Sequence, residues 1–193
     1  PASARRPPRR HSLRLGRGLR REFADHLSEP MFDLVARGDT VILRTFSKAY
    51  GLAGARLGWG VFPDVIAQNV RKLLNPNNVT KASQAAAQAA AEDQVWMRAT
   101  CTQTAKRRDA FAGRLRASGF SPIPSFTNFT LIPFASPEAA QSADAFLKSQ
   151  GVFLRPQAGA GLPHCLRATI GVAADMDIAA SLLETWTARR AAS

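Results

Sequence analysis

The stretch "TFSKAYGLAGARLGWG", Thr45 to Gly60, decides how the chain is read. It holds one lysine, one arginine eight residues later, and four glycines among mostly apolar neighbours. A surface loop would be more polar, and a core helix would avoid so much glycine. Lysine catalyses as a neutral amine or once joined to a carbonyl carbon, and desolvation or nearby cations push it toward the neutral form. An apolar, glycine-bent loop after a buried strand is expected to give Lys48 that setting. Arg56 then calls for an anion, and its planar fork suits a phosphate. Thr45 and Ser47, three and one residues before the lysine, add short hydroxyl donors. One aldehyde-capturing amine among three phosphate-binding groups fits a cofactor with one aldehyde and one phosphate, pyridoxal 5'-phosphate. A lone lysine is usually just a solvated surface residue, but that plainer reading must here also account for Arg56, both hydroxyls and the glycines.

Working outward, "TVILRTF" (Thr40 to Phe46) reads as a strand, being β-branched, apolar and too short for a helix. "LGWGVF" (Leu57 to Phe62) is a second. Pro63 suits the first turn of "PDVIAQNVRKLL", and Thr80 can cap "KASQAAAQAAAED". A long helix is expected from Gln94 to Ala117, with Gly119 just past its end. Upstream, Glu22 to Arg37 reads as a loop and a short helix closed by Gly38. After Pro122 the expected order is strand (Asn128 to Phe134), helix (Ser136 N-cap to Gly151), strands 152–155 and 165–171 joined by a glycine-rich loop, and a last helix. That helix should be capped by Asp175 and run to about Ala188. The class is α/β: part of a large domain with an incomplete sheet over 22–110, then a small α/β domain over 111–193, divided inside the long helix. Trp59, Trp96 and Trp186 read as packing residues, and His164 and Cys165 as bland loop-flanking surface residues.

The chain of 193 residues, 46% hydrophobic, can bury a real core. No apolar run approaches the ~18 residues of a membrane span. No secretory leader is recognisable at the start. The two cysteines, Cys101 and Cys165, suggest neither a disulfide framework nor a metal site, so a reducing, cytoplasmic setting is expected. The net charge of +12 invites a nucleic-acid reading. Eight arginines and no acid lie in residues 1–21; without them 18 basic residues face 14 acidic ones, a net of +4. The basicity belongs to a tail, not to a binding face. That tail is expected to be disordered and foreign to the fold. A basic nucleic-acid-binding protein or a non-catalytic remnant is the alternative from another class, and salt-dependent binding lost with residues 1–21 would mark the first.

The lysine loop resembles the signature S/T-x-S-K-x-x-x-x-x-G-x-R-x-G of class I/II (fold type I) pyridoxal-phosphate aminotransferases, and looks most like the histidinol-phosphate aminotransferases among them. The similarity runs from about Glu22 to Trp186, through the second half of such an enzyme. It implies that Lys48 binds the cofactor's aldehyde and later moves the substrate proton, while Thr45, Ser47 and Arg56 hold the phosphate. "CLRATIG" is similar to the family's "LRIT-G", which makes Arg167 the clamp on the substrate α-carboxylate. "GVFLRP" is similar to "GI-VRP" and sets Arg155 toward the substrate's distal group, a phosphate in the histidine-pathway enzymes. Asn128, in the family's "NF-L" strand, is implied to support Arg167. The resemblance also implies a small-molecule amino donor, a 2-oxo acid acceptor and a homodimer. An aromatic aminotransferase and a threonine-phosphate decarboxylase are the neighbouring readings within the superfamily.

Shortly before a segment like "REFADHLSEP", the family carries D-E-A-Y, whose aspartate pairs with the pyridinium nitrogen. Here "LGRGLRR" stands in that place. The expectation is that residues 1–21 are that region read in a wrong frame. Glu-Ala-Tyr coded GAG GCC TAC contains GGC CTA, Gly-Leu, the dipeptide at Gly18-Leu19. The DNA upstream of the Glu22 codon should therefore encode D-E-A-Y in another frame; if none of the three frames does, the idea fails.

Overall fold

The computed structural model describes residues 31–191. The expected basic tail and the loop before residue 31 lie outside the described residues. Two compact units appear, one ending at Glu92 and the other beginning at Asp93. The division thus falls at the start of the long helix, whereas the sequence reading put it inside, at 110/111. Asp93 caps that helix by accepting the Trp96 N–H at 2.9 Å, and the helix carries Phe111 and Leu115 into the core of the second unit.

The first unit opens with α1 (Met31–Ala36), closed where Gly38 N donates to Val35 O at 2.9 Å. Strands β1 (Ile42–Thr45) and β2 (Gly58–Val61) pair antiparallel, matching Ile42 with Val61, Arg44 with Trp59 and Thr45 with Gly58. Between them a 3-10 turn spans Ala53–Ala55. Helices α2 (Asp64–Leu73) and α3 (Lys81–Glu92) follow. Thr80 caps α3 as expected, its Oγ1 accepting from Ser83 N at 3.1 Å. The core is slight: Val35 and Ile42, with Val61 packed against them. Helix α2 buries none of its residues, and Val65, Leu73 and Leu74 stand exposed. In α3 only Ala87 is buried, so the alanines do not form the tight packing their size permits. A two-stranded sheet is marginal by itself, and this one has one small cluster behind it.

The second unit holds α4 (Gln94–Ala117), β3 (Phe129–Pro133), α5 (Pro137–Ser149), β4 (Arg155–Gln157), β5 (Leu162–Thr169) and α6 (Ala173–Ala191). The sheet is antiparallel in the order β3-β5-β4. Burial alternates along β3, with Thr130 and Ile132 inside and Phe129, Leu131 and Pro133 toward the other face. Ile132 and Leu166 from the sheet, Leu115 from α4, Leu147 from α5 and Leu183 from α6 are all fully buried in one cluster. Trp186 closes it, edge-on to Phe134 at 5.4 Å, with its ring N–H reaching Ser142 Oγ at 3.3 Å. Ser136 caps α5 and Pro137 opens it, as the sequence suggests.

Several details differ from the sequence reading. Strand β4 starts at Arg155 and β5 at Leu162, because the glycine-rich segment contracts into a 3-10 turn, Ala158–Ala160, ended by Gly161. Asp175 sits in the first turn of α6, not at its cap. Cys165 is buried in β5, where burial pushes its thiol pKa up, and His164 is half-buried beside it; neither is a loop surface residue. Trp59 and Trp96 are 43% and 47% exposed, so of the three tryptophans Trp186 alone packs in a core.

Arg114 on α4 grips Glu184 on α6 with two bonds, Nε to Oε1 and Nη2 to Oε2, both 2.8 Å, and Ser118 Oγ adds a third donor at 3.1 Å. The Arg114 bond, then that of Ser118, holds the Glu184 carboxyl below its usual range. A lowered folded pKa means the stabilisation is full above the ordinary glutamate range and fades as pH falls through the lowered value. Glu184→Gln should therefore lower the urea midpoint at pH 7, and the gap to the native chain should close in acid; a gap independent of pH would contradict this. Leu183→Ala should cost about 2–5 kcal/mol in the same measurement, through lost burial and the cavity left behind.

Candidate active site

The lysine loop is closed at its base by backbone. Thr45 and Gly58 are ladder partners, and Phe46 N donates to Leu57 O at 3.1 Å just beyond them. Phe46 O then accepts from Leu52 N at 2.9 Å, and Lys48 O from Gly51 N at 3.0 Å. Gly51 adopts φ 68, which an L side chain resists, so the turn after the lysine calls for glycine. The Phe46 and Tyr50 rings meet at 4.8 Å, two residues on either side of Lys48. Ala49 is fully buried while Lys48 is exposed, so the loop pins its neighbour and presents the amine.

Four predicted groups leave this one loop. Thr45 Oγ1 accepts from Ser47 N at 3.0 Å, which leaves the hydroxyl hydrogen of Thr45 to donate elsewhere. The Ser47 hydroxyl has no hydrogen-bond partner among the described residues. Arg56 gives one N–H to Ala53 O at 2.9 Å and keeps the rest of its fork open. Its backbone is left-handed at φ 52, the one positive-φ residue other than glycine among those described. Such a conformation costs an L residue about 1 kcal/mol or more. An amine, two hydroxyls and an open guanidinium on one short loop can bind a group with one carbonyl and one phosphate. The expected apolar surround of Lys48 is not found among the described residues: Lys48 is exposed, and α2 and α3 leave most of their surface bare.

In the second unit, Arg155 and Arg167 are register partners across β4 and β5. No acidic side chain among the described residues pairs with either. Like charges directly opposite each other weaken a sheet, so this face suits an anion. Arg167 Nε is buried with no partner, and the guanidinium carbon lies 5.1 Å from the Phe129 ring centroid. Asn128, expected to support Arg167, makes no hydrogen bond to it; its carbonyl accepts from Ile170 N at 2.9 Å instead.

Comparison with known proteins gives the ancestry. Residues 20–183 match the family described as aminotransferase class I and II. The chain belongs to the class I and II aminotransferases. It is 43% identical over 155 residues to a histidinol-phosphate aminotransferase of Rhodospirillum centenum, covering 79% of this chain and 43% of that one. It also resembles the crystal structure of histidinol-phosphate aminotransferase from Sinorhizobium meliloti in complex with pyridoxal-5'-phosphate, with TM-score 0.79 and 32% identity, over 87% of this chain and 47% of that chain. Aspartate aminotransferase from Thermotoga maritima shares the fold, with TM-score 0.69 at 18% identity over 77% and 40% of the two chains. This aminotransferase chain thus spans less than half the length of these relatives. No helix among its described residues is long and apolar enough to cross a membrane.

Two contributors escape the sequence reading. Phe129 is visible there only as one more strand aromatic, and nothing local marks it as the neighbour of a residue far along the chain. Gly58 enters the sequence reading only as the signature's last glycine and a residue of the second strand, yet a Cβ built on it would lie 2.6 Å from the Arg44 carbonyl oxygen. Backbone cannot swing aside as a side chain can, so Gly58→Ala should part the ladder at the loop's base. The expected cost is about 1–3 kcal/mol, with faster amide exchange at Phe46 and Leu52; unchanged exchange would show that the close approach does not hold the loop.

Proposed function

We propose that this chain is the lysine-bearing, C-terminal part of a pyridoxal 5'-phosphate-dependent aminotransferase that moves an amino group between L-histidinol phosphate and 2-oxoglutarate. The observation carrying this reading is the amine, the two hydroxyls and the open guanidinium emerging from one loop closed by the Thr45–Gly58 pair. The family match and the histidinol-phosphate relatives support it. The cofactor, when bound, withdraws electrons from the carbon bearing the amino group.

The chain's own residues divide the remaining work. Lys48 Nζ would hold the cofactor through its aldehyde carbon, the aldehyde oxygen leaving as water, and, freed by the incoming amine, would act as the base that takes a proton from the substrate's α-carbon. Arg56, Thr45 and Ser47 bind the phosphate, the guanidinium by charge and shape and the hydroxyls by single hydrogen bonds. Arg167 orients the substrate anion, and Arg155 opposite it takes the distal phosphate. Asn128 lines the same region through its strand. A dimer whose sites borrow residues from the partner subunit completes the proposal, as does a cytoplasmic setting.

The exposure of Lys48 and the slight core described for its unit support a further part of the reading: alone, the chain is partly folded, with its second unit formed and its first unit loose, and it has little or no transaminase activity. The cofactor assignment is testable apart from turnover. Incubation with pyridoxal phosphate, borohydride reduction and peptide mass mapping should place the label on Lys48, and Lys48→Ala should lose it. Equal labelling of all lysines, or of the variant, would sink the assignment. Arg56→Ala should weaken cofactor retention about ten-fold or more, as expected for a lost charge-assisted contact.

A further inference from the structure

We propose that Phe129 is a positioning residue: its ring holds the Arg167 guanidinium flat, so that the terminal nitrogens present a fixed fork to an oxyanion. The proposal rests on the reading of Arg167 as the substrate-anion group. The register makes the contact inevitable once the strands pair. Leu131 lies opposite Arg167 and Phe129 opposite Thr169, so Phe129 and Arg167 are diagonal neighbours on one face of the sheet. The guanidinium carbon sits 5.1 Å from the ring centroid, within cation–π range.

Every other feature around Arg167 disfavours a charge there. Its strand partner on the far side is Arg155, another cation. Its Nε is buried with no acceptor. No carboxylate among the described residues pairs with it, and Asn128 does not bond it. The ring is the one favourable partner the described residues supply. It also leaves the recognition edge free, because stacking uses the π face of the guanidinium while a bidentate oxyanion uses its plane. With Nε turned inward, the terminal nitrogens are left for the anion. Removing the ring would let the side chain leave its buried seat and swing away from Arg155, so the fork would have to be reordered on binding.

The test uses the full chain in solution, with the Arg167 Nε–H resonance assigned by its absence in Arg167→Lys. In the native chain the ring should shift that resonance upfield. The shift should vanish in Phe129→Leu and persist in Phe129→Tyr, which keeps the ring. Titration with succinate, and separately with inorganic phosphate, should show affinity falling roughly five-fold in Phe129→Leu and staying near native in Phe129→Tyr. The stronger probe tells whether a carboxylate or a phosphate is preferred. A Phe129→Leu chain that binds both anions as the native does, or an Arg167 shift that ignores the ring, overturns the proposal. Arg167→Lys binding both probes as the native does overturns the reading of Arg167 while leaving the ring contact standing. A native chain that binds neither overturns both. Should Phe129→Leu fail to fold, the native shift and the Phe129→Tyr titration still decide.

Discussion

The chemistry of the first unit hangs on one close approach of backbone to backbone, Gly58 against the Arg44 carbonyl. That approach lets Thr45 and Gly58 pair, so the two limbs of a long loop start about 5 Å apart. The amine and both hydroxyls leave one limb, the guanidinium the other. Were the limbs to part, the four groups proposed to hold one small molecule would still be present in the sequence but would lose their common frame. The backbone bonds that Phe46 makes with Leu57 and Leu52 extend the closure, and Ala49 within the loop is buried.

The two units obtain their stability differently. The second has a closed hydrophobic cluster fed by every one of its helices and by two of its three strands, with Arg114 and Glu184 tying α4 to α6. Among its described residues the first has a cluster of three side chains, two strands and a helix with a bare apolar side. Apolar surface left in water contributes nothing to folding. The unit that carries the lysine is therefore the less self-sufficient one, and the exposure of Lys48 follows from the same shortage of covering surface.

Local signals were legible; distant ones were not. The Thr80 and Ser136 caps, the proline at the start of α5 and the strand around Ile42 could all be read from a few neighbouring residues, and the structure has them. The strand–helix–strand–strand–helix order after Pro122 was equally plain. The grouping of Thr45, Ser47, Lys48 and Arg56 was legible because one loop carries all four. What failed depends on partners far off in the chain. The unit boundary was missed because it is set by what Phe111 and Leu115 touch, not by helix continuity. The exposure of Trp59 and Trp96 was missed because hydrophobicity reports what a side chain would bury, not whether a surface is there to bury it. The Arg155–Arg167 pairing and the Phe129 contact are set by register, the first by how the chain turns between β4 and β5 and the second by the pairing of β3 with β5.

The left-handed backbone of Arg56 has a consequence for what substitutions the chain can accumulate. Glycine would adopt φ 52 without strain, and asparagine nearly so. Drift governed by folding alone would carry this position toward those residues, since either relieves the backbone and neither needs its charge neutralised. An arginine held there is therefore a residue the fold would exchange if it could. Its presence there fits a demand on the loop that does not come from stability.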